Sequence, residues 1–169
     1  MLNQIKKTID QFSEILGLIS AGLLILLVFN VFCNVIMRYV FNDVSIAFQE
    51  LEWHLYATLF LLGISYAITH NSHVRVDIFY EKLTIKKQAL IDLVGVLVFI
   101  LPFATLVFYY ALGFVFDSYL LREKSGDPGG LAYRWLIKSI IPLAFFSIII
   151  TSIAMLVNSI KILIQKEKN

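Results

Sequence analysis

The 169-residue sequence has few charged side chains, three prolines and a single cysteine. Only 15% of its residues are Asp, Glu, Lys or Arg, whereas a soluble domain carries about 25%. Because 59% of the residues are hydrophobic, polar side chains cannot cover the apolar surface, and lipid must be the main solvent. The lone Cys33 excludes an intrachain disulfide and a cysteine-rich metal site. A net charge of +2 gives no indication of nucleic-acid binding.

Four apolar segments are long enough to cross a membrane, since a spanning helix needs about 20 such residues. They cover about residues 15–37, 53–69, 90–116 and 137–164, and the second can begin as early as Ser45. The sequence therefore predicts an all-α integral membrane protein with four transmembrane helices and interfacial amphipathic segments. We expect one domain, residues 1–169, and a kink at Pro102 in the third span.

The basic residues predict the orientation of the spans, because cytoplasmic loops are enriched in Lys and Arg. With both termini on one side, nine of the 14 Lys and Arg residues lie there and five lie on the other. We therefore expect a multi-pass membrane protein with both termini in the cytoplasm. The first and third loops then lie on the outer side, and the second is cytoplasmic.

The two loops predicted to lie on the outer side have distinct compositions. The first, residues 38–52, mixes aromatic, apolar and acidic side chains, and Asp43 or Ser45 is suited to cap the second helix. The third contains the strongest turn signal in the chain, residues 125–130 (SGDPGG). Pro128 fits the second position of a turn, and Gly129 supplies a positive φ. This loop is either a docking surface or a simple connector.

Small and polar residues recur every four positions along the first span. Ser13, Gly17 and Ala21 form a small-residue strip, and Asn30, Asn34 and Arg38 form a polar strip. Close packing and interhelical hydrogen bonds hold helices together in lipid, where apolar burial gives no driving force. Both strips therefore predict helix–helix contacts, within this chain or with another. At the end of the polar strip, Glu50 is placed to meet Arg38.

The chemistry of a self-sufficient carrier or an enzyme is missing from the sequence. No carboxylate lies near the centre of a span, where ion-coupled carriers usually keep one. No pair of interrupted helices indicates an inverted-repeat carrier, and no glycine-rich loop indicates ATP hydrolysis. We expect neither catalysis, nor a cofactor, nor a metal site, and no transport path built by this chain alone.

Two other classes of membrane protein are weighed against these observations. A small four-helix multidrug exporter needs a glutamate inside its first span, which this chain lacks. A haem-bearing anchor subunit of a quinone-linked enzyme needs two histidines that face each other across the bundle. His54 lies at one end of the second span, and His70 and His73 lie at or beyond its other end. The haem anchor stays the alternative.

Several segments together resemble the small membrane subunit, DctQ type, of tripartite ATP-independent periplasmic (TRAP) transporters. The resemblance covers nearly the whole chain. At residue 49, Gln replaces the first of two acids that many members carry before Leu51. The matching segments, in chain order, are residues 34–42 (NVIMRYVFN), 50–51 (EL), 60–63 (FLLG), 73–77 (HVRVD), 127–131 (DPGGL), 134–135 (RW) and 141–143 (IPL).

The resemblance implies a location in the bacterial inner membrane and a function as a scaffold. A large membrane subunit of such transporters moves an organic acid inward with sodium, after a periplasmic binding protein has captured it. The small subunit braces the static part of the large subunit and helps to seat the binding protein. The candidate residues that we expect to contact one of these two partners are Asn34, Arg38, Tyr39, Asn42, Glu50, His73, Arg75, Asp77, Asp127 and Arg134.

Overall fold

The computed structural model describes residues 2–70, 80 and 82–164, and the regular elements within them are helical. Four helices are long and apolar enough to cross a membrane, which confirms the predicted class. They are α1 (Leu2–Val40), α2 (Ile46–Thr69), α3 (Ile85–Leu120) and α4 (Arg134–Ile164). Each predicted apolar span lies inside one of these helices. α1 begins well before residue 15, because Ile9 and Ser13 of its polar extension are buried in the bundle.

The helices are not equally buried. α1 packs mainly on α2, α3 packs mainly on α4, and α2 packs on α4 between them. In the most apolar stretch of each helix, 39% of the α4 residues are buried, compared with 11% in α1 and in α3. α4 is therefore the centre of the bundle, with Ile68, Ala104 and Ile148 from three helices in its core. Broad apolar faces of α1 and α3 remain open to lipid or to another subunit.

Both strips on α1 join it to α2, as predicted. The Ser13 hydroxyl donates to the Ser65 carbonyl at 3.2 Å, and Gly17 lies against the ring of Tyr66. Nearer the other end, the Asn30 amide donates to the Phe48 carbonyl at 3.0 Å. Such bonds between spans each contribute roughly 0.6 to 2 kcal/mol. Because they lie at both ends of the contact, they fix how far α1 can slide along α2.

The connection between α1 and α2 is short and uses special backbone geometry. Asn42 has φ of 52°, a left-handed conformation that asparagine tolerates better than most residues. It lets the Asp43 amide reach back to the Met37 carbonyl at 3.0 Å, which ends α1. Of the two predicted caps, Ser45 begins α2, and its hydroxyl accepts from the Phe48 amide at 3.4 Å. The sharp turn sets the C-terminal end of α1 beside the N-terminal end of α2.

α3 changes its hydrogen-bonding pattern where Pro102 interrupts it. The helix runs from Ile85 to Gly95, passes through a π-helical turn at Val96–Ile100, and continues as Leu101–Leu120. Proline has no amide hydrogen, and its ring displaces the carbonyl four residues earlier. The wider π turn ends two residues before Pro102 and accommodates both effects, so the helix continues past the position of the predicted kink.

Candidate functional site

A buried glutamate near the start of α2 holds the loop between α3 and α4. The side chain of Glu50 is only 7% exposed. It accepts a hydrogen bond from the Ser125 hydroxyl and one from the Leu131 amide at 2.5 Å. The Arg134 guanidinium lies 3.8 Å from the same carboxylate. We call these four residues the clasp. It ties residues 121–133 to α2 through donors that come from two sides of the loop.

The predicted meeting of Glu50 with Arg38 is wrong. Glu50 points away from α1 towards the α3–α4 loop, where Arg134 supplies its positive charge. Arg38 instead lies on the exposed flank of α1. The two residues share one end of the bundle, but the position of α2 against α4 directs the carboxylate to the loop. The orientation of this carboxylate depends on packing between helices that are distant in sequence.

Inside the loop, the predicted turn is confirmed. Gly129 has φ of +84°, and the Gly130 amide donates to the Asp127 carbonyl at 3.0 Å. Pro128 then occupies the second position and Gly129 the third, as in a type II turn. The Ser125 amide donates to the Leu131 carbonyl at 3.0 Å, which closes the base of the turn. The turn therefore presents its tip, with the exposed Asp127, on a fixed base.

A second charged pair fastens the loop to α4. Lys138 donates to the Glu123 carboxylate, and its ammonium also lies 4.0 Å from the centre of the Phe114 ring. The Arg134 amide donates to the Glu123 carbonyl at 3.1 Å, so the chain is held where it enters α4. The Arg134 guanidinium lies 5.9 Å from the Trp53 ring, a cation–π distance. Glu123 and Glu50 thus anchor two sides of the same loop.

The Glu123–Lys138 pair predicts an acid-dependent loss of stability. The Lys138 ammonium lowers the pKa of Glu123 below its ordinary value of 4.5. A carboxylate with a lowered folded-state pKa stabilises the fold above its unfolded pKa, and that contribution is lost as the pH falls through the folded pKa. We expect Lys138→Gln to melt a few degrees below the natural protein near about pH 7, and this gap to close as the pH falls below the ordinary glutamate pKa of 4.5. Thermal unfolding of both proteins across this pH range measures the difference between their melting temperatures. A difference that stays constant with pH contradicts the assignment.

The other predicted residues fall into three places. Asn34, Arg38 and Tyr39 lie together on α1 and line a groove between α1 and α2. Asn42 lies in the left-handed turn, where its observed contribution is to the backbone geometry. His73, Arg75 and Asp77 lie outside the described residues. The structure therefore joins Glu50 to Arg134 and keeps Asn34 with Arg38, as two neighbouring but separate groups.

Sequence reasoning missed three members of this region. The Leu131 amide is a backbone donor, which no residue pattern indicates. Glu123 and Lys138 are 15 residues apart on either side of the loop, a spacing with no helical meaning. The opposite charges of these two residues, one at each end of the loop, could have indicated the pair. In addition to these three, His54, which the sequence analysis had named, is half-buried beside the loop, and its buried Nε2 has no hydrogen-bond partner within the described residues.

The histidines of α2 do not form a pair across the bundle. His54 and His70 are 16 residues apart on one helix, which separates them by roughly 24 Å. His70 stacks on Tyr66 at 4.1 Å and lies 3.0 Å from the Glu14 carboxylate. One iron cannot bind both residues, so the geometry does not favour a haem anchor. Within the described residues, no group of three His, Cys, Asp or Glu side chains could hold a metal ion.

Comparisons with known proteins agree with this architecture. The family model of the tripartite ATP-independent periplasmic transporters, DctQ component, matches residues 25–162. The ectoine TRAP transporter small permease protein TeaB of Halomonas elongata is 27% identical over 165 residues, covering 95% of this chain and 80% of TeaB. A protein of Haemophilus influenzae, provisionally assigned as a TRAP transporter small permease protein, is 26% identical over 121 residues, covering 72% of this chain and 75% of that protein. The chain thus belongs to the DctQ family of TRAP small permease subunits, and it is a membrane-embedded transport component rather than an enzyme.

Proposed function

We propose that this chain is the non-catalytic scaffold subunit of a sodium-coupled TRAP transporter. In this role it braces a large membrane subunit, and its α3–α4 loop contacts the periplasmic substrate-binding protein. The observation that supports this role best is the clasp. A mere connector needs no buried carboxylate, whereas Glu50 and Glu123 use two charged contacts to keep this loop in one shape. A loop ordered in advance loses little entropy when a partner binds it.

The broad apolar faces of α1 and α3 support the proposed contact with a large membrane subunit. Only 11% of the most apolar stretch of each helix is buried within the chain. A large hydrophobic subunit can pack on one of these faces without displacing α4 from the centre. The proposed transporter imports organic acids, as the family resemblance implies. One relative is named for ectoine, and we propose that the other components of the transporter, not this subunit, select the cargo.

The proposed topology puts the clasp in the periplasm and both termini in the cytoplasm. A labelling experiment tests it directly, because Cys33 is the only cysteine and Cys33→Ser therefore provides a cysteine-free background. In that background, a cysteine at exposed Gly126 should react with a membrane-impermeant maleimide in intact spheroplasts. A cysteine at exposed Thr8 should react only after the membrane is opened. The reverse pattern overturns the topology and, with it, the contact with the binding protein.

Affinity purification of the full chain from its native membrane tests the scaffold assignment. We expect a second, larger and very hydrophobic membrane protein to elute with it. Uptake by proteoliposomes should require both proteins together with the binding protein. If this chain alone carries out uptake, the scaffold assignment is wrong.

Charge reversal at Arg38 is expected to impair the assembled transporter. Arg38 and the buried Asn34 lie on one face at the end of α1, and we propose that they order this end of α1 and α2. Arg38→Glu places a negative charge beside Glu52 in the same groove, and like charges repel. Uptake should fall by roughly tenfold or less, since the site is partly exposed to solvent. Lys7→Glu, at an exposed lysine near the start of α1 and outside the α3–α4 loop, is the control for charge reversal alone. Equal uptake by natural and Arg38→Glu transporters would count against this ordering role.

A further inference from the structure

A groove of about 600 Å³ lies between α1 and α2 at the end of the bundle that carries the clasp. Its polar end is formed by Asn34, Arg38 and Glu52, and its deeper part by Leu27 and Val31. From Leu27 to Arg38 the helix rises roughly 16 Å. That length equals about half of the roughly 30 Å hydrocarbon core of a bilayer. The groove is therefore as deep as one leaflet, polar at one end and apolar below.

Two side chains of opposite charge line the polar end of the groove without forming an ion pair. Arg38 is exposed and Glu52 is half-buried, and both line the groove. Within the described part of the chain, neither forms an ion pair with the other or with a third side chain. A guanidinium and a carboxylate held apart across one groove match a ligand that carries a negative and a positive group. A purely anionic ligand would be repelled by Glu52.

The side chain of Asn34 adds a specific hydrogen-bond acceptor. This residue is only 7% exposed, and its amide oxygen has no hydrogen-bond partner within the described residues. A buried acceptor without a donor costs free energy, so native structures rarely leave one unsatisfied. Because Asn34 lines the groove one helical turn below Arg38, a donor on the bound ligand can reach it. A primary ammonium has three hydrogens to donate, enough for Glu52 and Asn34 together.

We propose that this groove binds a zwitterionic phospholipid with a primary ammonium headgroup, as in phosphatidylethanolamine. Arg38 binds the phosphate, Glu52 and the Asn34 amide oxygen accept from the ammonium, and one acyl chain lies along Leu27 and Val31. Trp53 and Tyr56 line the same groove, where their amphipathic rings suit the level of the headgroups. A small soluble zwitterion fits the polar end alone and leaves the apolar half of the groove unused. The groove therefore favours the lipid.

The tryptophans allow a direct test with the full-length chain, because it contains only two. Trp135→Phe leaves Trp53 in the groove as the single reporter. Phospholipids with brominated chains, added to the protein in detergent, quench a tryptophan that they contact. We expect brominated phosphatidylethanolamine to quench Trp53 at roughly fivefold lower mole fraction than brominated phosphatidylcholine or phosphatidylglycerol. Trp53→Phe, which keeps Trp135 on α4, should respond equally to all three lipids.

Two substitutions separate the parts of the headgroup. Arg38→Gln should weaken quenching by phosphatidylethanolamine and phosphatidylcholine alike, because both carry the phosphate. Glu52→Gln should remove the preference for phosphatidylethanolamine, because a trimethylated ammonium donates no hydrogen bond in either protein. Arg122→Gln, an exposed arginine of the α3–α4 loop, should change nothing. If one of these variants fails to fold, the relative quenching of Trp53 by the three lipids in the Trp135→Phe protein still tests the proposal.

The proposal is overturned by equal quenching of Trp53 by the three lipids or by a preference for phosphatidylglycerol. Efficient displacement by soluble phosphoethanolamine would assign the groove to a small zwitterion instead. The assembled transporter provides the last check, with a photo-crosslinking residue in place of the exposed Tyr56. A crosslink to phospholipid supports the proposal. A crosslink to another polypeptide makes the groove a protein interface and contradicts it.

Discussion

Replacing Glu50 by alanine is expected to release the α3–α4 loop from α2 while the four helices remain in place. The substitution removes the acceptor for the Ser125 hydroxyl and the Leu131 amide, and it leaves the half-buried Arg134 without its carboxylate. A buried donor left without its acceptor costs more free energy than the hydrogen bond contributes to stability. We expect uptake by the assembled transporter to fall by about tenfold or more, with helical content unchanged. Uptake assays and far-ultraviolet circular dichroism measure the two effects.

Two comparisons show whether the carboxylate itself is responsible. Glu50→Gln removes the charge but keeps one of the two accepting oxygens. Its uptake should therefore lie between that of the natural protein and that of Glu50→Ala. Asp117→Ala removes an exposed carboxylate near the end of α3 and should be close to neutral. If Glu50→Ala and Asp117→Ala are indistinguishable in uptake and in proteolysis of the loop, the clasp has no functional role.

The clasp can also be opened without changing any of its charges. A methyl group at Gly130 would lie 2.4 Å from the Ser125 hydroxyl oxygen and 2.8 Å from a carboxylate oxygen of Glu50. Gly130→Ala should therefore push both partners apart and reproduce the effect of Glu50→Ala. A methyl group at Gly126, four residues earlier in the same loop, would meet nothing within 4 Å. Gly126→Ala should keep normal uptake, and a loss as large as that of Gly130→Ala would mean that the loop tolerates no alanine for reasons other than the clasp.

The sequence predicted those features that depend on neighbouring residues. Long apolar segments must become helices in lipid, because only a helix satisfies its own backbone there. The Pro128–Gly129 pair specifies its turn through its own φ angles, and Ser45 caps α2 through its own hydroxyl. The strips on α1 predicted contact with another helix, since residues four apart share a face. None of these conclusions requires knowledge of how the helices pack together.

The partners of Glu50 could not be predicted in the same way. Ser125 and Leu131 are 75 and 81 residues away, and they reach Glu50 only because α2 packs on α4. Arg38 was the nearer positive charge in sequence, but the turn at Asn42 leaves it on the groove side of α1. A contact between charges on distant helices depends on the rotation of each helix, which one sequence does not specify. The same rotation places Arg38 and Glu52 in one groove.

Gly17→Leu is expected to cause the largest loss of stability among substitutions in the spans. A side chain at Gly17 would bring its first carbon within 2.4 Å of the Tyr66 ring. That ring stacks on His70, which in turn contacts Glu14 on the neighbouring turn of α1. The ring cannot move without disturbing these contacts, so α1 and α2 must separate locally. Overpacking of this kind typically costs about 1 to 3 kcal/mol.

Gly22→Leu is the matched control for this substitution. Gly22 lies on the same helix, but a side chain there meets nothing within 4 Å. Since leucine also favours helix over glycine, Gly22→Leu should melt at or above the temperature of the natural protein in detergent. Gly17→Leu should melt clearly below it, and Tyr66→Ala in the same chain should restore part of the loss by making room. Equal melting of the two leucine variants would show that α1 does not approach α2 closely at Gly17. The small-residue strip would then have to act between this chain and another subunit.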